Sequence, residues 1–273
     1  MRRIMSSFFG HQSQMACYLA SVAPHSDDWL LALPIANCGL RLEDEAVRVA
    51  VGMRLGLTLC VLHKCHCGSD IDATADMPTW SARKHLVGLQ DIKCSTTILR
   101  AINAADVPAV KEPSGLNRQD GKRPDRLSLI PWQSGKPLLW DVTVASTLAG
   151  SCMDTTATAA GLVASWSGSR QKDSQIRRSQ STVCFQPVSV ENLGPFSSST
   201  LDLLRDLGRR ISHISGDDRE VLFLFQRISV TIQRFNSVLL HDSFTIDRPG
   251  HYSHSAGFYL LFLTLEIFTT KGI

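Results

Sequence analysis

Apolar positions along the chain recur with two periods, one helical and one strand-like, and the two alternate in blocks. Between Leu42 and Leu57 they fall at 42, 46, 47, 49, 50, 53 and 57, the spacing of an amphipathic helix. Asp44 and Glu45 in its first turn, with Arg48 and Arg54 further on, suit its dipole. HSDDWLLALP upstream opens this helical region, while residues 1–28 look polar and weakly patterned. From Lys93 to Asp106, apolar residues at 98, 99, 102 and 105 predict a second helix with Ser95 or Thr96 near its N-cap. VPAVKEP then reads as a short strand, RPDRLSLIPW as a second and KPLLWDVTV as a third, the last two forming a hairpin around Gly135. A helix is expected across Thr155–Trp166. VCFQPVSVENLG gives a fourth strand, placed at an edge or bulged by Pro187. Two helices close the pattern, STLDLLRDLGRRISHIS and a long one opened by Asp217 and Asp218, apolar at 221, 222, 224, 225, 228, 232, 235, 238 and 239. Beyond Phe244 the pattern is lost, and residues 245–273 read as an appended tail.

The order is helix, three strands, helix, strand, two helices, an α+β arrangement. With 44% hydrophobic and 19% charged residues the composition is that of an ordinary globular chain. A net charge of +3 permits an acidic partner without demanding one, so the placement of the bases has to carry that argument. The apolar run FYLLFLTLEIF, 258–268, is too short to span a bilayer and carries Glu266, so no membrane partner is expected. MRRIMSSFFGHQSQ lacks an uninterrupted apolar core, which favours an intracellular, reducing setting and free thiols.

Of eight cysteines, Cys60, Cys65 and Cys67 crowd with His63 and His66. Cys65-His66-Cys67-Gly68 resembles half of a zinc knuckle; after it the available ligands are His85 and Cys94, at spacings that match no regular finger, and Cys60 or His63 could supply a ligand from the near side. Zn²⁺ held by Cys65, Cys67, His85 and Cys94 stands beside the plainer alternative of idle thiols and solvent histidines.

The most informative stretch is Lys111 to Val144. Asp125 begins one strand and Asp141 sits inside its hairpin partner, amid Leu138, Leu139, Trp140, Val142 and Val144. A carboxylate in such a strand is usually paired, hydrogen-bonded or metal-bound, because burying it alone costs several kcal/mol. With Glu112 nearby, the donor set is hard oxygen, suited to Mg²⁺ or Mn²⁺. Lys111, Lys122, Arg123 and Arg126 flank the acids, and Arg170, Lys172, Arg177 and Arg178 follow, as a phosphodiester partner would require. The alternative is a turn-forming Asp125, an Asp141 paired with Arg123 or Lys122, and a solvated basic loop.

RPD at 123–125, followed after fifteen residues by Asp141, resembles the restriction-like endonuclease signature at the C-terminal end of non-LTR retrotransposon polyproteins. The strand order resembles the wider PD-(D/E)xK core, and HKCHCG, KEPSGLNRQDGKRPD and WDVTV resemble reading frames that continue from a reverse transcriptase. The resemblance covers roughly residues 24–244. It implies a helical region over 1–58, a degenerate Cys/His segment over 59–94, a nuclease core over 95–195 and C-terminal helices over 196–244. It further implies Asp125 and Asp141 as catalytic metal ligands, Glu112 as a third carboxylate, and nicking of DNA in the nucleus to prime reverse transcription of element RNA. The lysine that the superfamily places two residues after the second acid is here Thr143, so Lys172 is the candidate, with Lys122 in reserve. No paired-aspartate reverse transcriptase motif is present. A catalytically inactive nucleic-acid-binding fragment or a decayed mobile-element remnant is the alternative.

Overall fold

Ser134 and Gly135 sit at φ of 51° and 73°, the two positive values that a type I′ turn requires, and they join two strands in the expected hairpin. The computed structural model describes residues 12–65, 70–71, 84–113, 124–148, 153–169 and 182–244, with backbone alone at 70–71, 84–89 and 153. In chain order the elements are α1 (Gln12–Ser21), α2 (Asp28–Leu31), α3 (Asp44–Leu55), β1 (His63–Lys64), β2 (Asp70–Ile71), α4 (Lys84–Ala104) and β3 (Ala109–Lys111). They continue with β4 (Arg126–Gln133), β5 (Lys136–Ala145), α5 (Met153–Thr156), α6 (162–169), β6 (Cys184–Glu191), α7 (Ser198–Ser215) and α8 (Glu220–His241). The chain is thus a mixed α/β protein.

The main sheet has the order β3-β4-β5-β6, antiparallel through β5 and then parallel, in register from Leu138↔Cys184 to Ala145↔Glu191. A parallel pair needs a crossover, and residues 146–183, with α5 and α6, supply it. Pro131 cannot donate to the ladder, and β4 accommodates it with register shifts on either side. Ser128 repairs part of the break, its Oγ accepting from Leu138 N at 2.8 Å and donating to Ile130 O at 2.8 Å. Pro187 lies in β6 at the outer edge, as its missing N–H leads one to expect.

Alternation along the strands gives the sheet two faces. Leu138, Trp140, Val142, Val144, Val188 and Val190 turn one way and form a core with Ile98 and Ile102 of α4, Leu204 and Leu207 of α7, and Phe225 and Ile228 of α8. Pro187 and Ser189 turn the other way, where a Cβ at Gly168 of α6 would come within 3.0 Å of Ser189 Oγ. A second cluster joins Ala16, Cys17, Val49, Met53, Cys60 and Cys65 to Leu239 and Leu240 of α8, and a third joins Trp29 and Ala50 to Val230. α8 therefore serves every core, and its polar residues Gln226, Ser229, Gln233, Asn236 and Ser237 are buried as well. Arg54 explains how: it donates to Ser26 O, Leu193 O and Gln233 Oε1 at 2.9–3.1 Å, and loss of hydration lowers its pKa to about 10.

Three elements differ from the pattern read off the chain. α4 begins at Lys84, not near Lys93, so Ser95 and Thr96 are interior residues; Thr96 and Thr97 satisfy their hydroxyls on carbonyls four residues back. α1 occupies part of the weakly patterned N-terminus, its buried face being the small residues Ala16, Cys17 and Ala20. The single helix expected over Thr155–Trp166 is two, separated by residues 157–161; at Gly161, just before α6, φ is 75° and an added Cβ would lie 3.0 Å from Phe196 O.

Candidate active site

The pairs Arg126↔Trp140 and Leu127↔Leu139, continued by one position, set Asp125 opposite Asp141. Asp125 stands just before β4 behind the buried Pro124, and Asp141 is inside β5, 8% exposed. The Asp141 side chain acts on the Asp125 carboxyl and favours its charged form. Burial raises the pKa of Asp125, opposed by the Val142 N–H, by the Ser95 hydroxyl, by the charge of Arg126 and by Asp141. Two acids opposed across neighbouring strands favour a shared proton or a cation.

β5 presents alternate N–H groups towards β4, but the ladder between them starts only at Arg126. Beyond it, side-chain carboxylates take the place of strand carbonyls. Val142 N donates to Asp125 Oδ2 at 2.9 Å, and Val144 N donates to Asp91 Oδ1 at 2.7 Å. Asp91 comes from α4, and Ser95 one turn later on the same helix faces the pair. Ser95 Oγ is buried and makes no hydrogen bond of regular geometry, yet it stands close enough to Asp125 to favour its charged form.

Glu112 is tied to this corner by its backbone, its N–H donating to Asp125 O at 2.9 Å. Its side chain is 54% exposed and pairs with Lys111 Nζ at 3.3 Å, while its charge acts on Arg126. Arg126 is buried opposite Trp140; desolvation lowers its pKa, and Asp125 and Glu112 offset part of that. Lys111 is its neighbour across β3 and β4. Lys122, Arg123, Arg170, Lys172, Arg177, Arg178 and Cys67 lie outside the described residues, and His85 is described only as backbone in α4.

Of the zinc candidates whose side chains are described, Cys65 and Cys94 lie in different clusters. Cys65 packs in the cluster of Cys17, Cys60 and Leu240, whereas Cys94 is buried in the sheet core, where burial and the charge of Asp91 push its thiol far up. His63 is engaged otherwise, with Nδ1 2.8 Å from Val61 O, Nε2 2.8 Å from Ser243 Oγ, and its ring stacked on Phe244. Among the described residues no group of three or more His, Cys, Asp or Glu side chains is placed to hold a metal ion. Two carboxylates and the orphaned hydroxyl do converge at Asp125, Asp141 and Ser95. That is a hard-oxygen set of the size Mg²⁺ uses when it keeps most of its waters.

Two acids carry functions that the sequence pattern did not signal. Asp91 is hidden because the helix was expected to begin after it. Glu191 ends β6, fully buried, with Oε2 3.0 Å from Thr147 Oγ1 and Oε1 3.4 Å from Ala164 N. The N–H groups of Gly161 and Val163 favour its charged form too, so it caps the start of α6, while burial drives its pKa up. No protein-family model matches the chain, and no curated protein matches it.

Proposed function

We propose that the chain is a divalent-metal-dependent DNA endonuclease on a restriction-endonuclease-like PD-(D/E)xK core, of the kind found at the end of non-LTR retrotransposon polyproteins. The observation that carries this reading is the meeting of Asp125 and Asp141 across β4 and β5, in a helix-strand-strand-strand-helix-strand order whose last strand runs parallel to the third. Asp125 and Asp141 would hold Mg²⁺ or Mn²⁺, with Ser95 beside them. Such an ion lowers the pKa of water and stabilises charge developing on phosphorus. The N–H of Val142 and the neighbouring Asp141 orient Asp125, and Arg126 and Lys111 offset the repulsion between the acids and a phosphodiester backbone. Lys172, or Lys122 in reserve, would orient the attacking water. Nuclear DNA is then the substrate, and the released 3′ end primes copying of element RNA.

Replacing Asp125 by Ala should abolish Mg²⁺-dependent nicking of supercoiled plasmid; nicking at the wild-type rate would rule the site out. A second reading, a nucleic-acid-binding module that no longer cuts, is favoured by Thr143 at the position usually held by lysine. It predicts DNA binding that weakens steeply with salt and no metal-dependent cleavage.

A further inference from the structure

The open edge of β5 beyond Arg126 is held at two points by acids from different parts of the chain. Asp125 takes the N–H of Val142 and Asp91 takes that of Val144. Positions two apart on a strand are about 7 Å apart, so the two carboxylates stand side by side and bracket Thr143. Asp141 is the residue immediately before the first of these contacts. Asp91 and Ser95 lie four apart on α4 and so share a face of that helix, which brings the unpartnered Ser95 Oγ, 2% exposed as a residue, to Asp125. One helix face thus supports both the strand edge and the acid pair.

We propose that Asp91 is a positioning residue for the Asp125 and Asp141 site: by accepting the Val144 N–H it fixes the open end of β5 and keeps Asp141 in place opposite Asp125. The inference rests on the reading of Asp125 and Asp141 as divalent-cation ligands. Among the described residues no strand carbonyl stands on that side to take the Val144 N–H in place of Asp91, so Asp141 then moves relative to its partner. A role through the hydrogen bond also separates Asp91 from a third metal ligand, because Asn keeps the acceptor oxygen and loses the charge.

The test is Mn²⁺ binding by titration calorimetry on the full chain, with thermal melting to confirm that each variant folds. Asp91→Asn is expected within about twofold of the wild-type affinity and Asp91→Ala about tenfold weaker, the loss that one hydrogen bond of ordinary strength represents. Wild-type affinity in Asp91→Ala overturns the proposal, and so does an Asp91→Asn as weak as Asp91→Ala, which would make the charge the active feature. A wild-type chain that binds no Mn²⁺, or an Asp125→Asn that binds it normally, overturns the reading of the acid pair itself. Should Asp91→Ala not fold, amide exchange in the wild-type chain decides: Mg²⁺ should slow exchange at Val142 and Val144 together, and an unchanged Val144 refutes the coupling.

Discussion

The fold constrains the chemistry of Glu191 closely. It holds the first N–H groups of α6 and the Thr147 hydroxyl, and it does so at the cost of a buried carboxylate whose pKa is raised. The folded chain therefore keeps this proton to higher pH than the unfolded chain does. Its contribution to stability is fully present below the ordinary glutamate value and is lost as pH rises through the raised one. Glu191→Gln, which imitates the protonated form, should be no less stable at pH 7 and should show a smaller loss of urea midpoint across that window than the wild type. Glu191→Ala leaves several buried N–H groups without an acceptor and should cost about 2 kcal/mol by the same measurement. Of the buried acids, Asp141 was legible because it interrupts a run of Leu, Trp and Val, and Asp125 because a proline and a strand frame it. Glu191 and Asp91 were not, since their partners are backbone N–H groups brought from residues 27 and 53 positions away, and no local pattern marks such contacts.

At the scale of elements, α7 and α8 approach so closely that a Cβ at Gly208 would lie 2.6 Å from the Val221 Cα, a backbone atom that cannot step aside. Gly208→Ala should force the helices apart and cost about 1–3 kcal/mol, read as a lower melting temperature without loss of helical circular dichroism. The periodicity of α3, α7 and α8 and the hairpin at Ser134-Gly135 are local properties, and they were visible in the chain for that reason. α1 escaped because Ala and Cys bury little area per residue and give a weak period. The start of α4 escaped because Ser95, Thr96 and Thr97, good capping residues, sit inside a helix that runs back to Lys84.

In the whole molecule the order of strands and crossover could be read from the alternation of periods, but the burial of both sides of α8 could not. Gln233, Asn236 and Gln226 look like a solvated face, yet they are enclosed because Arg54, Gln90, Asn192 and Leu31 O come from four distant segments to meet them. The same distance between partners hides which acids act together.

The edges of the sheet carry one more consequence. On the β6 side the outermost strand contains Pro187, and on the β4 side Pro131 lies beyond the last pairing with the short β3. A strand from another molecule that docked on either edge would meet a position with no N–H to offer, and β4 is bent there by its irregular register as well. The two prolines thus act against self-association. Ser189 and Glu191 on that edge are already bonded to Thr200 Oγ1, Ser197 N–H and Pro195 O, so Pro187→Val restores a donor and a β-former to the uncovered half of β6, and its sedimentation coefficient should rise with concentration more steeply than that of the wild type. If the two chains sediment alike at every concentration, something other than proline keeps that edge closed to further strands.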